Sequence, residues 1–399
     1  MAMNFDEFKE KVKESIRDVL PEKYQDAAVD MVDTEKINST YTALYVRPEG
    51  KNFAFVLNMD EYYEDYAAGQ KSIEKTIRDM SGIIQSNKLP SVDMSLFRDY
   101  EMAKENLYIR VCGVEQNRDL LERVPHHKVE DMAIIYYLRV FEDEDGSGSA
   151  MVTNNMLYHY GISQEQLHQD AMGNSQELFP PRLFSIFDVI ADRLREEMIE
   201  EGIPEMMADK LIQSYREMDQ TPLIGLTNER EINGAGVLFY PDMMDKIGRE
   251  LGSDFIVIPS SVHEVLLMPD NGCTSANELK NVVSKINRTE VAPEDRLTNE
   301  AYHYDRKNQV FEKLSSYEVR MAETDRAENI GLTPAKTDMS KDVPPKTEAR
   351  SGHTTAREQP VKKERKSVLK RLEQKKAEIK VREAGKEKTQ GKLKENALE

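Results

Sequence analysis

Ser260, Ser261, His263 and Glu264 lie in one short stretch and are the side-chain types that nucleophilic catalysis uses. A serine hydroxyl becomes a nucleophile when a base lies within hydrogen-bond reach and a third group orients that base. The stretch from Phe255 to Pro269 reads as two apolar runs about a Pro-Ser-Ser corner. Alternation in the second run predicts Val262, Glu264, Leu266 and Met268 on one face and His263, Val265 and Leu267 on the other. On that pattern the neighbours His263 and Glu264 point apart and cannot serve each other as base and orienter. A zinc-protease pair needs a second histidine one helical turn after the first, and that position is Leu267. The simpler expectation is a strand corner whose serines satisfy backbone groups while His263 bonds locally.

Other polar groupings invite the same question. His126 and His127, with Glu130 and Asp131 after them, form one set of metal-ligand types, and His159, His168 and Asp170 form another. Metal ligands must converge in space, and neither spacing requires it, so surface and capping roles are expected. Asn233-Gly234-Ala235-Gly236 resembles a phosphate loop but lacks the Walker Lys-Ser/Thr and the third Rossmann glycine. The acidic run Glu142 to Asp145 does not alternate ligands as a calcium loop does, and reads as a solvated hairpin tip. Tyr62, Tyr63 and Tyr66 stand among Asp60, Glu61, Glu64, Asp65 and the nearby Glu74, an arrangement expected of a helix that packs its rings inward. A surface imitating the charge of DNA is the functional alternative there. No set is complete, so no cofactor and no metal are predicted.

The chain has 399 residues, a formal net charge of −18, 39% hydrophobic and 32% charged residues, which fits two or three soluble domains with a very polar segment. The charge is uneven. Residues 336–399 carry about 19 Lys/Arg and about 11 Asp/Glu, a net of about +8, which leaves the body near about −26. No apolar run approaches the length of a membrane span, and the N-terminus lacks a signal-peptide core, so a cytoplasmic location is expected. Cys112 and Cys273 are far apart and in apolar company, which predicts buried reduced thiols.

The elements that must position these residues make an α+β chain of mixed helices and short antiparallel sheets or hairpins in two or three packed units. The first unit, 1–90, has a helix from Asn4 to Leu20, strands over 40–47 and 52–58, and a helix over 72–85. The second, 91–202, has strands over 107–111, 132–141 and 149–157, and helices over 117–121, 163–172 and 183–201. The third, 203–320, has a helix from Pro204 to Met218, strands over 223–227 and 237–240, and a helix from Pro241 that ends at Gly252. The corner strands follow, then a helix with Leu279, Val282, Val283 and Ile286 on one face and a hairpin over 301–311. Residues 321–399 are expected to be disordered and basic, with a short amphipathic helix over 367–381. Lys362, Lys363, Arg365, Lys366, Lys370, Arg371, Lys375 and Lys376 are its candidate interaction residues.

Three ordered blocks carry a resemblance. They are Asn58-Met59-Asp60-Glu61-Tyr62-Tyr63 through Gly69, Asn117-Arg118-Asp119-Leu120-Leu121 to Val124-Pro125-His126, and Leu226-Thr227-Asn228 through Pro259-Ser260-Ser261-Val262-His263-Glu264. Together, over residues 3–315, they resemble the bacterial domain-of-unknown-function family 5688, which implies a shared fold but no activity or catalytic residue. The tail from Lys366 is similar to basic C-termini of accessory proteins of conjugative elements.

These readings lead to a non-enzymatic cytoplasmic accessory protein of a mobile element, binding a protein partner through its acidic body and contacting nucleic acid weakly through its tail. The rivals are a hydrolase or nucleotide-handling enzyme centred on Ser260, Ser261, His263 and Glu264, and an acidic DNA mimic that antagonises host defence.

Overall fold

Asn4 begins the first helix because its side chain accepts from the Glu7 amide while Glu7 bonds back to the Asn4 amide, both at 2.9 Å. In the computed structural model, residues 3–51, 53–87, 92–143, 146–218 and 223–330 are described. They divide into two compact units between Leu178 and Phe179. The expected boundary at 90/91 falls inside the first unit. The one at 202/203 gives way to an earlier division, because Pro181–Ser185 is a strand of the second unit's sheet.

In the first unit, α1 (Phe5–Val19) buries Phe8, Val12 and Ile16. A three-stranded antiparallel sheet follows, β1 (Ala28–Lys36), β2 (Ser39–Arg47) and β3 (Phe55–Asn58), then α2 (Met59–Ala67) and α3 (Ile73–Ser86). Leu44, Val46, Leu57, Met59, Ile77, Met80 and Ile84 close one core with α1. The short helices α4 (Tyr100–Ala103) and α5 (Arg118–Leu121) flank β4 (Leu107–Gly113). β5 (His126–Val129) and β6 (Met132–Asp143) come next, and β7 (Gly146–Met151) completes a second antiparallel sheet. In it β6 is central, with β4 on one side and β5 and β7 on the other. α6 (Asn154–Tyr160) and α7 (Gln164–Leu178) end the unit. Ser175 of α7 accepts the Ile109 amide at 2.9 Å, which fixes that helix to β4. Asn38 and Asn117 exchange hydrogen bonds of 2.7 and 2.8 Å between the two parts of the unit. The strand expected over 149–157 stops at Met151, since Thr153 caps a helix there.

The second unit is a six-stranded antiparallel sheet in the order β13-β12-β10-β11-β9-β8. Its strands are β8 (Pro181–Ser185), β9 (Ile224–Asn228), β10 (Phe255–Pro259), β11 (Val265–Pro269), β12 (Tyr302–Asp305) and β13 (Val310–Lys313). Its helices are α8 (Ile186–Glu200), α9 (Glu205–Met218), α10 (Met243–Leu251), α11 (Ala276–Thr289) and α12 (Leu314–Ile330). Period-two alternation divides the sheet. Ile256, Ile258 and Met268 meet α11 and α12. On the other face Phe255 lies against Tyr304, and Phe311 against Tyr302 and Phe239. Among the expected elements, the strand over 237–240 is instead the end of the 3-10 helix Gly234–Phe239, with Tyr240 as its cap. The helix expected over 183–201 begins as β8, and Ser185 caps the helical remainder. The apolar face expected on α11 is only half covered, with Val283 buried and Val282 51% exposed. Among the described residues no helix is long and apolar enough to cross a membrane. The expected tail helix and its eight basic candidates lie outside the described residues.

Candidate functional site

Pro259 ends β10 and Val265 begins β11, so residues 260–264 form the loop of a hairpin rather than a continuation of its second strand. The expected alternation of Val262, His263 and Glu264 therefore fails. The loop turns inward, and Ser260, Ser261, Val262, His263 and Glu264 are all buried. Buried backbone groups must find partners, and the loop finds them in three directions. The Ser261 amide donates to the Glu264 carbonyl at 3.2 Å, the Val262 amide to the Asp295 carbonyl at 2.8 Å, and the Ala235 amide to the Val262 carbonyl at 3.2 Å.

His263 is the centre of this knot. Its amide donates to Ser261 Oγ at 3.0 Å, and its carbonyl accepts from Thr227 Oγ1 at 2.7 Å and from the Gly234 amide at 3.0 Å. Its Nδ1 accepts the Asn233 amide at 3.0 Å, which assigns the ring proton to Nε2. Nε2 then donates to Asp295 Oδ1 at 3.1 Å, inside a pair whose side chains are 2% and 3% exposed. Neither ring nitrogen keeps a lone pair open to a substrate. Ser261 Oγ accepts a backbone amide and makes no hydrogen bond to the imidazole, and Ser260 Oγ reaches Glu264 Oε1 at a long 3.4 Å. Burial pushes the Glu264 carboxyl above its ordinary range, against the opposing pull of His263 and the Ser260 hydroxyl.

Gly234 is required by space. A Cβ there would lie 2.2 Å from Thr227 Oγ1, 2.6 Å from the Asn228 nitrogen and 2.7 Å from the His263 oxygen. Asn233 precedes it in the left-handed region at φ 53°. The amides of Gly234 and Ala235, which a phosphate loop would offer to a ligand, are spent on the 260–264 loop.

The profile of one family of unknown function, DUF5688, matches residues 5–306, a span that includes both His263 and Asp295. The chain belongs to the DUF5688 family. No curated protein and no solved structure matches it.

The remaining candidates of this DUF5688 chain lie in its first unit. His127 of β5 and His168 of α7 do meet, with ring centroids 4.9 Å apart and planes inclined by 28°. Tyr136 OH lies 3.0 Å from His168 Nδ1. Burial, then the neighbouring His127, push the His168 imidazole below its ordinary value, and burial first, then Glu165, pushes the Tyr136 hydroxyl up. His126 instead places Nδ1 3.1 Å from the Val124 carbonyl, and His159 is exposed beside Tyr158. Asp170 bonds Tyr100 OH and accepts from Gln166 Nε2, so it does not complete a set with the histidines. Among the described residues no group of three or more His, Cys, Asp or Glu could hold a metal ion.

Tyr63 and Tyr66 pack on Phe5 and Phe8 at centroid distances of 5.0 to 5.3 Å, the inward packing expected of that helix. Tyr62 is pushed up to about 12 by burial and by Glu61, Asp79 and Asp65. Cys112 is buried, with its thiol pushed up to about 12 by desolvation, whereas Cys273 is exposed, contrary to expectation. What the sequence reading missed is Asp295. It lies in the short 3-10 helix Pro293–Asp295, and nothing in its neighbourhood signals a partner in the corner.

Proposed function

We propose that this chain is a non-enzymatic accessory protein of a bacterial mobile element, acting in the cytoplasm. Its acidic body binds a protein partner, and its basic tail contacts nucleic acid through Lys362, Lys363, Arg365, Lys366, Lys370, Arg371, Lys375 and Lys376. The observation that supports the non-enzymatic part is the saturation of His263. Its amide, carbonyl and two ring nitrogens all have partners inside the fold. A hydrolase centred on Ser260, Ser261, His263 and Glu264 would first have to break several of those bonds and carry a serine to the ring. The tail supports the nucleic-acid part by composition, since an opposite-signed extension on an acidic body is an electrostatic attachment.

The test uses the full-length chain, a tail deletion after residue 330, and His263→Gln. Nucleic-acid binding by the full-length chain should weaken steeply with salt, because bound phosphates release counterions, and should vanish on deletion. Equal binding by the two chains would remove the tail from the account. A hydrolytic or nucleotide-processing activity lost in His263→Gln at unchanged thermal stability would overturn the non-enzymatic reading.

A further inference from the structure

Arg110 sits within β4, with Tyr108 two residues before it on the same face. Its Nη2 donates to Tyr108 Oη at 2.7 Å and to Ser149 Oγ of β7 at 3.1 Å. The guanidinium carbon lies 3.9 Å from the ring centroid of Tyr137 on β6 and 5.5 Å from that of Tyr108. Its Nε is sealed from water and has no hydrogen-bond partner, while the residue as a whole stays partly exposed. The rings of Tyr108 and Tyr137 flank its charge, and no carboxylate among the described residues pairs with it. Arg139 on the same sheet shows the usual solution, with Nη1 3.0 Å from Glu142 Oε2.

We infer that Arg110, Tyr108 and Ser149, over the ring of Tyr137, form a binding site for a tetrahedral oxyanion of the phosphate class. A buried guanidinium nitrogen without an acceptor loses hydration that nothing in the fold replaces, and a guanidinium is the side chain best matched to a phosphate group. The choice between oxyanions follows from the hydroxyls. A carboxylate is satisfied by one edge of an arginine, whereas hydroxyls from β4 and β7 on the same guanidinium offer further donors to the additional oxygens of a phosphate. Tyr137, pushed up to about 12 by burial against the lowering effect of Arg110, stays protonated at neutral pH and able to donate. The site is independent of the partner-binding reading, since it stands whether or not the body engages a protein.

The experiment is thermal unfolding of the full-length chain at constant ionic strength, titrated with inorganic phosphate, sulfate or acetate. Phosphate and sulfate should raise the midpoint progressively, as a ligand of the native state does, and acetate should not. Arg110→Gln should abolish the rise. Ser149→Ala and Tyr108→Phe, which remove one hydroxyl each and preserve the fold, should each weaken phosphate binding roughly five- to tenfold, and they decide the matter if Arg110→Gln fails to fold. No rise in the unsubstituted chain, or the same rise in all three variants, overturns the site. An equal rise with acetate overturns the tetrahedral assignment. With phosphate binding in hand, a nucleoside monophosphate competing better than a single-stranded oligonucleotide identifies a free phosphomonoester, and the reverse identifies a nucleic-acid backbone.

Discussion

His263 in the second unit and Arg110 in the first both carry nitrogen donors sealed into antiparallel sheet structure, and their surroundings are opposite. Every hydrogen-bonding group of His263 has a partner, including a buried carboxylate. Arg110 has hydroxyls, an aromatic face and an orphaned Nε, but no counter-charge among the described residues. A saturated polar residue holds a fold together, because no bond is left for a ligand. One with unspent hydrogen-bonding capacity and charge costs stability until something arrives to use it. The residues that look most like chemistry in the sequence are thus the ones the fold has consumed.

The largest effects should come from the saturated side of this comparison. His263→Ala takes from the buried Asp295 carboxylate the donor at Nε2, and removing one partner of a buried pair costs about 3–5 kcal/mol. Asp295→Ala should cost a similar amount, and the double variant much less than the sum, as read by chemical denaturation in a double-mutant cycle. Strict additivity would mean that the 3.1 Å contact carries no coupling. Gly234→Ala comes next. The methyl meets a backbone nitrogen and a backbone oxygen that cannot swing aside, so a loss of about 2–3 kcal/mol is expected from overpacking. A denaturation midpoint unchanged by that substitution would show that the 260–264 loop yields to an added methyl.

Much of the fold was legible because its signals are local. Asn4 and Glu7 announce α1, Ser72 announces α3, and Gly252 ends α10 in the left-handed conformation. Period-two alternation marks β10 and β11. β1 escaped because Asp30, Asp33 and Glu35 interrupt its apolar alternation, as suits a strand paired on one side only. β8 escaped because the apolar stripe of α8 continues back through Leu183, and strand and helix cannot be separated by periodicity over so short a run. The site was legible only in part. Ser260 to Glu264 could be singled out by residue type, but their saturation depends on Asn233, Thr227 and Asp295, which long-range topology alone brings in. Tyr108 and Arg110 share a strand face in plain view. That no carboxylate among the described residues pairs with Arg110 is a property of the space around it, which no pattern encodes.

Two buried titratable groups in the second unit give the pH dependence opposite signs. His303 is fully buried, stacked on Tyr317 at 3.6 Å, with Nε2 3.2 Å from Asp270 Oδ2. Burial pulls it below the ordinary value of 6.5, outweighing Asp270, Asp254 and Asp305. The unfolded chain therefore binds the extra proton first, so this contribution is whole above 6.5 and is lost as pH falls from there toward the lowered folded value. Glu264 is raised above 4.5. Its contribution is whole below that value and is lost as pH rises through the raised folded value. Glu264→Gln, which keeps the acceptor facing Ser260, should therefore gain stability at pH 8 and nothing at pH 4. His303→Phe should flatten the loss of stability below 6.5. Denaturation curves taken across this range in both variants would reverse the assignment if Glu264→Gln gained stability at acid pH instead.

The smallest effect is also the one that sharpens the comparison most. Arg110→Met retains most of the aliphatic stem that packs in the sheet and removes the uncompensated charge. What is lost is the contact with the Tyr137 ring, about 1 kcal/mol for a cation over an aromatic face, and two hydrogen bonds to hydroxyls. What is gained is relief from desolvating a guanidinium that has no carboxylate. These oppose each other, so in phosphate-free buffer the net change should stay within about 1 kcal/mol, against the several expected for His263→Ala. Saturating phosphate should then open a gap, because only the unsubstituted chain gains from the ligand. A loss of several kcal/mol without any anion would place Arg110 beside His263 as a structural residue and erase the distinction between the two regions.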